Sequence, residues 1–216
     1  EEENAREKKP SNISKNNIVL DCAGLALNGD GGTSNDNALI IAGRKNVTVK
    51  NCQFLRFGES SNYGAAVAIS ASNGTLLTNV TVLTINTNVE ALAIHSDSHN
   101  NTINNTNLTF SGSSGSALTI QTRSKFNKFY NVSIYTNSSG SGITGINMLS
   151  GSGFNHFENT TVEILITPGG GSTAIALNDA SNNTFYRGRI TLVSSNGINP
   201  GGASTNNTFT DFTINV

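Results

Sequence analysis

The sequence NKFYNVSI (residues 127–134) returns as NHFENTTV (155–162) and again as NTFYRGRI (183–190). In each copy an apolar residue, here called the lead residue, is followed three and five positions later by small or apolar residues. Successive lead residues are 24 to 29 residues apart, and the eight of them are Leu20, Val49, Leu77, Ile103, Phe129, Phe157, Phe185 and Phe209. A repeat of this length cannot bury its apolar side alone, so it predicts a solenoid whose turns stack into one core.

The segments around the lead residues are predicted to be strands. They are rich in Val, Ile, Thr and Phe, and Gly, Asn and Ser interrupt them too often for helices. A second strand series lies between them, with apolar pairs that skip one residue, as in Leu92/Ile94 and Leu118/Ile120. The inward positions five residues after each lead residue are Leu25, Phe54, Val82, Leu108, Ile134, Val162, Ile190 and Ile214.

Asparagine recurs in register at two positions of the repeat. The leading Asn ladder, two residues before the lead residue, contains Asn101, Asn127, Asn155, Asn183 and Asn207. The trailing Asn ladder, two residues after it, contains Asn51, Asn79, Asn105, Asn131 and Asn159. Asn tolerates left-handed backbone at corners, and its amide can donate and accept along a stack. The trailing positions continue as Arg187 and Asp211, which are predicted to form a surface ion pair.

The phrases NNIVLDCAGLALNG (16–29), KNVTVKNCQF (45–54), SNNTFYRGRI (181–190) and TNNTFTDFTI (205–214) resemble the right-handed parallel β-helix proteins of the pectin-lyase-like superfamily. The resemblance covers residues 16–216. It implies an all-β, single-domain, right-handed parallel β-helix of about eight coils, preceded by a charged N-terminal segment or cap at residues 1–15. That architecture carries lyases, glycosidases, tailspikes, adhesins and structural proteins alike, so it does not select one function.

Charge is sparse in the repeats. Charged residues make up 12% of the 216 residues, the net charge is −1, and seven of the charged residues precede Pro10. There is no basic stripe of the kind that nucleic-acid binding requires, and no apolar run approaches the roughly 20 residues of a membrane span. We therefore expect neither a nucleic-acid partner nor a membrane span, and no cofactor.

The two cysteines, Cys22 and Cys52, lie on adjacent coils and are close to register. A disulfide between them would suit an oxidising compartment, whereas the alternative is a pair of small buried hydrophobic residues. Twelve N-x-Ser/Thr sequons are present. They indicate glycosylation outside the cell, with Asn12 and Asn137 as the candidates, or they arise because Asn ladders run beside Thr-rich strands.

Two segments carry candidate chemistry. In His95-Ser96-Asp97-Ser98-His99, a continuing strand would place residues 95, 97 and 99 on one face as ligands for a transition metal. If the chain instead turns at Asn100, the three side chains spread around a corner, which is the interpretation we favour. Arg187-Gly188-Arg189 offers two guanidinium groups to an acidic sugar, although paired strand arginines are more often simply solvated.

The acidic residues after the N-terminal segment are scattered through the repeat, whereas a glycosidase needs two carboxylates that converge on one bond. The core prediction is a stack of Phe129, Phe157, Phe185 and Phe209. The sequence stops in a strand without a covering segment, so Phe212, Ile214 and Val216 are expected to form an open end for pairing with a second copy.

We therefore expect a non-catalytic extracellular or cell-surface structural protein. It would be a rod that associates end to end with itself into a filament, sheath or surface layer, or an adhesin stalk. The alternative is a carbohydrate-binding module or a polysaccharide-active lyase or hydrolase. In the carbohydrate-binding case the expected partners are surface glycans, contacted by Tyr130, Tyr135 and Tyr186.

Overall fold

The computed structural model describes residues 11–29, 31, 37–57, 64–85, 87–138, 140, 142–166, 171–193 and 196–216. Residues 1–10 of the expected N-terminal segment therefore lie outside the described residues. Within the described part the chain forms strands only. They are β1 (Ser11–Ile13), β2 (Val19–Asp21), β3 (Ala26–Asn28), β4 (Leu39–Ala42), β5 (Thr48–Leu55), β6 (Ala65–Ser70), β7 (Leu76–Thr84), β8 (Glu90–His95), β9 (Thr102–Phe110), β10 (Gly115–Ile120), β11 (Lys128–Ser138), β12 (Ile143–Leu149), β13 (His156–Glu158), β14 (Thr161–Ile166), β15 (Thr173–Asn178), β16 (Thr184–Tyr186), β17 (Arg189–Val193), β18 (Asn196–Gly201), β19 (Thr208–Thr210) and β20 (Thr213–Asn215).

The strands stack into a parallel β-helix. The first sheet has eight strands in the order β1-β4-β6-β8-β10-β12-β15-β18. The second sheet has twelve strands. Eight of them form the path β2-β5-β7-β9-β11-β13-β16-β19, and the other four, β3, β14, β17 and β20, pair beside it. Every described strand pair is parallel. Eight rungs enclose about seven complete turns, so the all-β solenoid predicted from the repeat is confirmed.

The predicted register is confirmed along the lead residues. Leu20 pairs with Val49, and the series continues from one rung to the next until Phe185 pairs with Phe209. All eight lead side chains point toward the core: those from Val49 to Phe185 are at most 1% exposed, and Leu20 and Phe209, on the first and last rungs of the second sheet, are partly buried against it. The core is thus a continuous inward stripe, which is how a solenoid with few apolar residues stays folded.

The first coil departs from the expected register. Leu25 was expected to point inward opposite Phe54, but it is 71% exposed and Leu27 pairs with Phe54 instead. The cause is a two-residue expansion of the corner, where Ala23 and Gly24 both have positive φ and the Leu25 N–H donates to the Cys22 carbonyl. The boundary expected at residue 16 also moves, because β1 already pairs with β4 in the first sheet.

A single left-handed residue bends the second sheet in each later coil. The trailing Asn residues have φ between 48° and 55°, and Arg187 and Asp211 take the same conformation further along. In β5, β7, β9 and β11 the strand continues through this bend, whereas in the last three coils it is divided, as between β13 and β14 around Asn159. The bend separates two facets of the second sheet, and this separation decides which outward side chains lie together.

Candidate functional site

The outward positions of β11, β13 and β16 bring aromatic and charged groups together. Tyr130, Glu158 and Tyr186 are paired in register on successive coils, on the facet before the bend. We call the surface formed by Tyr130, His156, Glu158, Tyr186 and Arg187 the tyrosine–arginine face. Because alternate residues of a strand point to opposite sides, the same alternation that buries Phe129, Phe157 and Phe185 exposes this face.

Its first half contains an imidazole between an aromatic ring and a carboxylate. The ring of His156 lies 5.9 Å from that of Tyr130, tilted by 59°. The Nε2 atom of His156 lies 3.6 Å from Oε2 of Glu158 and pairs with it ionically when the imidazole is protonated. About a third of each of the two side chains is exposed, so both reach solvent while resting on the sheet.

Its second half contains Arg187, the residue at the bend. The guanidinium of Arg187 lies 4.5 Å from the centre of the Tyr186 ring, a cation–π contact. The ion pair expected between Arg187 and Asp211 is therefore wrong: no such pair forms among the described residues, because the guanidinium is turned toward the aromatic ring. Arg189, in contrast, lies beyond the bend, at the start of β17, where its register partner is Thr161. Its Nε and Nη2 lie 3.1 Å from the side-chain amide of Asn215, whose oxygen accepts both bonds when turned toward it.

Tyr135 is not part of this face. It lies beyond the bend at Asn131 and pairs in register with Glu163. The structure thus brings together two of the three tyrosines that the carbohydrate-binding hypothesis named, Tyr130 and Tyr186, and places the third on the other facet. The sequence could not separate them, because the bend does not change the repeat length.

The leading Asn ladder is buried. Asn101, Asn127, Asn155 and Asn183 are at most 1% exposed. Each Oδ1 atom from Asn127 to Asn207 accepts from both the backbone N–H and the Nδ2 of the preceding ladder member at 2.9 to 3.1 Å. The Nδ2 atoms of four members, Asn101, Asn127, Asn155 and Asn207, also donate to a backbone carbonyl one coil earlier, for example from Asn127 to Ser98. These amides satisfy corner groups that have no partner in a sheet.

The trailing Asn ladder is largely exposed, and its residues serve mainly to hold the backbone in a left-handed conformation. Its Nδ2-to-Oδ1 bonds join Asn79 to Asn51 at 2.8 Å, Asn131 to Asn105 at 3.1 Å and Asn159 to Asn131 at 3.2 Å. Among the described residues no such bond joins Asn105 to Asn79. The two ladders, which look alike in the sequence, therefore have different roles. The leading Asn ladder is a buried hydrogen-bond network, and the trailing Asn ladder supplies left-handed corners.

A serine ladder was missed by sequence reasoning. The hydroxyl of Ser98 accepts from the Ser72 N–H, and that of Ser124 accepts from the Ser98 N–H, at 3.2 Å in each case. All three serines are fully buried. The signal that could have found them is a serine three residues before the leading Asn, as in Ser98/Asn101 and Ser124/Asn127.

The predicted phenylalanine stack and the predicted disulfide are both present, in the second sheet and at its first corner. Phe129, Phe157, Phe185 and Phe209 stack with ring centres 4.3 to 4.6 Å apart and within 8° of parallel. Phe212 meets the Phe209 ring edge-on at 5.5 Å. A disulfide joins Cys22 to Cys52, whose Cα atoms are 4.9 Å apart, so the two cysteines link the first rung to the second.

The metal candidate is spread around a corner. His95 ends β8 and is buried, which lowers the pKa of its imidazole. Asp97 receives two bonds from Arg123, at 2.7 and 2.9 Å, and this partner lowers the pKa of the carboxyl group. Nδ1 of His99 accepts from the Lys125 N–H. In the described residues no group of three potential ligands is arranged to hold a metal ion.

The remaining predicted sites lie on the surface. Asn12 in β1 and Asn137 in β11 are both exposed, and their glycosylation stays a prediction. In the last described rung Phe212 is partly buried, Ile214 is 45% exposed and Val216 is 96% exposed.

One acid, Glu90, is partly buried in a way that the sequence did not indicate. Glu90 begins β8, and its carboxyl group packs so closely on Gly64 that a Cβ atom added to Gly64 would lie 2.8 Å from Oε2 of Glu90. The hydroxyl of Thr119 donates to Oε1 of Glu90 at 3.4 Å. Burial raises the pKa of Glu90 from its usual value of about 4.5 to about 7. The charged form is thus disfavoured in the folded protein.

Replacing Glu90 by Gln is therefore expected to stabilise the protein at neutral and higher pH. In the wild type the contribution of Glu90 is fully favourable below pH 4.5 and is lost as pH rises through 7, a loss of about 3 kcal/mol at about 1.36 kcal/mol per pKa unit. Urea unfolding of both proteins between about pH 4 and pH 8 measures this. The curves should converge at low pH, and Glu163→Gln should not reproduce the gain. If the free energy of unfolding of the wild type and of Glu90→Gln changed with pH in parallel, the expected role of Glu90 would be contradicted.

Comparisons with known proteins find only distant structural likenesses. No protein-family profile matches the sequence, and no curated protein sequence matches it either. Among solved structures the chain is similar to the surface protein and adhesin PfbA of Streptococcus pneumoniae, at 14% identity over 88% of this chain and 75% of that one, with a TM-score of 0.36. It is also similar to an alginate lyase from Paenibacillus sp. str. FPU-7, at 10% identity over 95% and 89%, with a TM-score of 0.48. In the part of the chain that the structure describes, no helix has the length and hydropathy of a membrane span.

Proposed function

We propose that this protein is a non-catalytic, extracellular β-helix rod that binds carbohydrate through the tyrosine–arginine face. The observation that carries the proposal is the packing of Arg187 on Tyr186, in register with Glu158 and Tyr130 on the coils before it. Aromatic rings and planar, multiply donating guanidinium groups are well suited to the apolar faces and hydroxyl groups of sugars. Because these groups stand on paired strands, little ordering is needed on binding.

The charges of the face support binding rather than bond cleavage. Glu158 is engaged with His156, and Glu163, the other described carboxylate of the second sheet in that coil, lies on the far side of the bend at Asn159. Two carboxylates on different facets do not flank one glycosidic bond in the way hydrolysis requires. The disulfide between Cys22 and Cys52 supports an oxidising, extracellular setting.

Binding is expected to weaken by about tenfold when Tyr186 is replaced by Ala, and by a similar factor for Tyr130→Ala, because each loses an aromatic contact. A glycan array with neutral and anionic sugars identifies a ligand, and titration of that ligand gives the affinities. Tyr135→Ala, on the other facet, is the matched control and should bind like the wild type.

An array without any wild-type signal would overturn the proposal, and equal loss in Tyr135→Ala would overturn the site. New reducing or unsaturated ends on incubation with polysaccharides would show that the protein is an enzyme.

A second candidate function is end-to-end assembly into a filament, sheath or surface layer. Ile214 and Val216 offer apolar surface on the last described rung, which any further rung, in this polypeptide or in a second molecule, would cover. Negative-stain electron microscopy with light scattering at several concentrations tests this. Ordered polymers would support it, and discrete rods at all concentrations would contradict it.

A further inference from the structure

One corner of the coil is left-handed in every described turn, at the residue just before the leading Asn position. Asn and Gly fill this corner in six coils, as expected from their tolerance of positive φ. The eight corner residues are Asn17, Asn46, Gly74, Asn100, Phe126, Phe154, Asn182 and Asn206. We call this series the corner column. Phe126 and Phe154 are its two exceptions.

These two phenylalanines are held where their residue type is disfavoured. Phe126 has φ of 59° and Phe154 has φ of 56°, values that are genuine outliers for bulky side chains. Their side chains are 49% and 48% exposed, and the rings stack on each other with centres 5.3 Å apart. Since neither ring contributes to the core, folding does not account for the strain, and strained exposed residues are commonly functional.

The fold would accept asparagine at both positions. Elsewhere in the corner column Asn46 donates from Nδ2 to Asn17 Oδ1 at 3.1 Å, and Asn206 donates to Asn182 at 3.4 Å. Phe126 and Phe154 thus interrupt a pattern that satisfies both the backbone conformation and the side-chain amides.

The surroundings of the pair are basic. Nζ of Lys125 lies 6.0 Å from the centre of the Phe154 ring, and Lys128 is exposed two residues after Phe126. Neither lysine forms an ion pair with a described residue. The nearby carboxylate of Asp97 is already neutralised by Arg123. The rings therefore lie beside uncompensated positive charge.

We propose that Phe126 and Phe154, with Lys125 and Lys128, form a docking site for an acidic protein segment that carries an apolar side chain. The charge of the lysines fits an acidic partner, and exposed aromatic residues are the usual anchors of protein interfaces. A protein segment fits better than a sugar, because the stack covers one face of each ring and Lys125 lies over the Phe154 ring, which leaves less open ring face for a sugar. Two half-exposed rings give a small contact, so the interaction is weak and sensitive to salt.

The test uses a fluorescent peptide in which Asp and Glu alternate with Leu and Phe, and a matched peptide with Lys and Arg in place of the acids. Polarisation should show binding of the acidic peptide only, stronger at low salt. The double variant Phe126→Asn/Phe154→Asn should bind at least about tenfold more weakly, and Lys125→Gln about threefold more weakly. The double variant restores asparagine to the corner column, so its thermal midpoint should equal or exceed that of the wild type, which separates lost binding from lost folding.

The proposal is overturned if the wild type binds neither peptide, if it binds both equally, or if the double variant binds the acidic peptide as well as the wild type. It is also overturned if an array glycan binds in a manner that depends on Phe126, because the corner would then be a sugar site. The variants Tyr130→Ala and Tyr186→Ala should leave peptide binding unchanged, so failure of the docking site and failure of the proposed carbohydrate site are distinguishable.

Discussion

Replacing Phe157 by Ala is expected to lower the free energy of unfolding by about 3 to 5 kcal/mol. The ring is 1% exposed and stacks between Phe129 at 4.3 Å and Phe185 at 4.5 Å, so truncation removes two aromatic contacts and leaves a cavity in the middle of the core. Rungs on both sides are held by strand pairing and cannot collapse into that space.

Equilibrium unfolding in urea, followed by circular dichroism, measures this loss. Phe154→Ala is the matched control, because it removes the same side chain three residues earlier in the same coil, where the ring is exposed. Its cost should stay below about 1 kcal/mol, as for surface substitutions. A loss of less than about 1 kcal/mol for Phe157→Ala itself would contradict the core register described above.

Replacing Asn155 by Ala is expected to cost a similar amount, about 3 to 5 kcal/mol, for a different reason. The side chain is 1% exposed and takes part in four hydrogen bonds: it accepts from the backbone N–H and Nδ2 of Asn127, and donates to Asn183 Oδ1 and the Ser124 carbonyl. Truncation leaves two donors and two acceptors buried without this partner, and such groups are costly in a low-dielectric interior.

The control is Asn107→Ala, an exposed asparagine on β9, which should change the free energy of unfolding by less than about 0.5 kcal/mol. Hydrogen exchange adds a local measure, because the Asn127 N–H should lose protection in the Asn155→Ala variant while amides in the first coils keep theirs. Equal and small losses for both variants would show that the leading Asn ladder contributes little to stability.

The parts of the fold that the sequence predicted are those that depend on period. The lead residues from Leu20 to Phe209 were placed in one column because each coil returns after 24 to 29 residues, and the strand pairs follow that column. The failure at Leu25 has a local cause. Two residues with positive φ expand the corner after Cys22, so that Leu27 takes the place of Leu25 as the register partner of Phe54.

The candidate site was predicted only in part. Tyr130, Tyr186 and Arg187 were singled out as separate groups, but Tyr135 and Arg189 lie on the other facet, and His156 was not connected with Glu158. The environment of the partly buried Glu90 could not be predicted. In the sequence, a single acidic residue before the apolar run of β8 looks the same as a solvated acid at the end of a strand. Phe126 and Phe154 also resembled ordinary repeat residues until the backbone showed positive φ at both.

By itself the sequence determined that this chain is a solenoid, which residues form its inward columns, and that asparagine runs in two registers beside them. A stacked repeat transmits one residue pattern to every coil, so the spacing alone suffices for these properties. Only the tertiary structure decided which Asn ladder is buried, which tyrosines share a facet and which aromatic rings stand exposed at a strained corner. These depend on the direction of each bend, and a left-handed residue turns the chain without changing the length of the repeat.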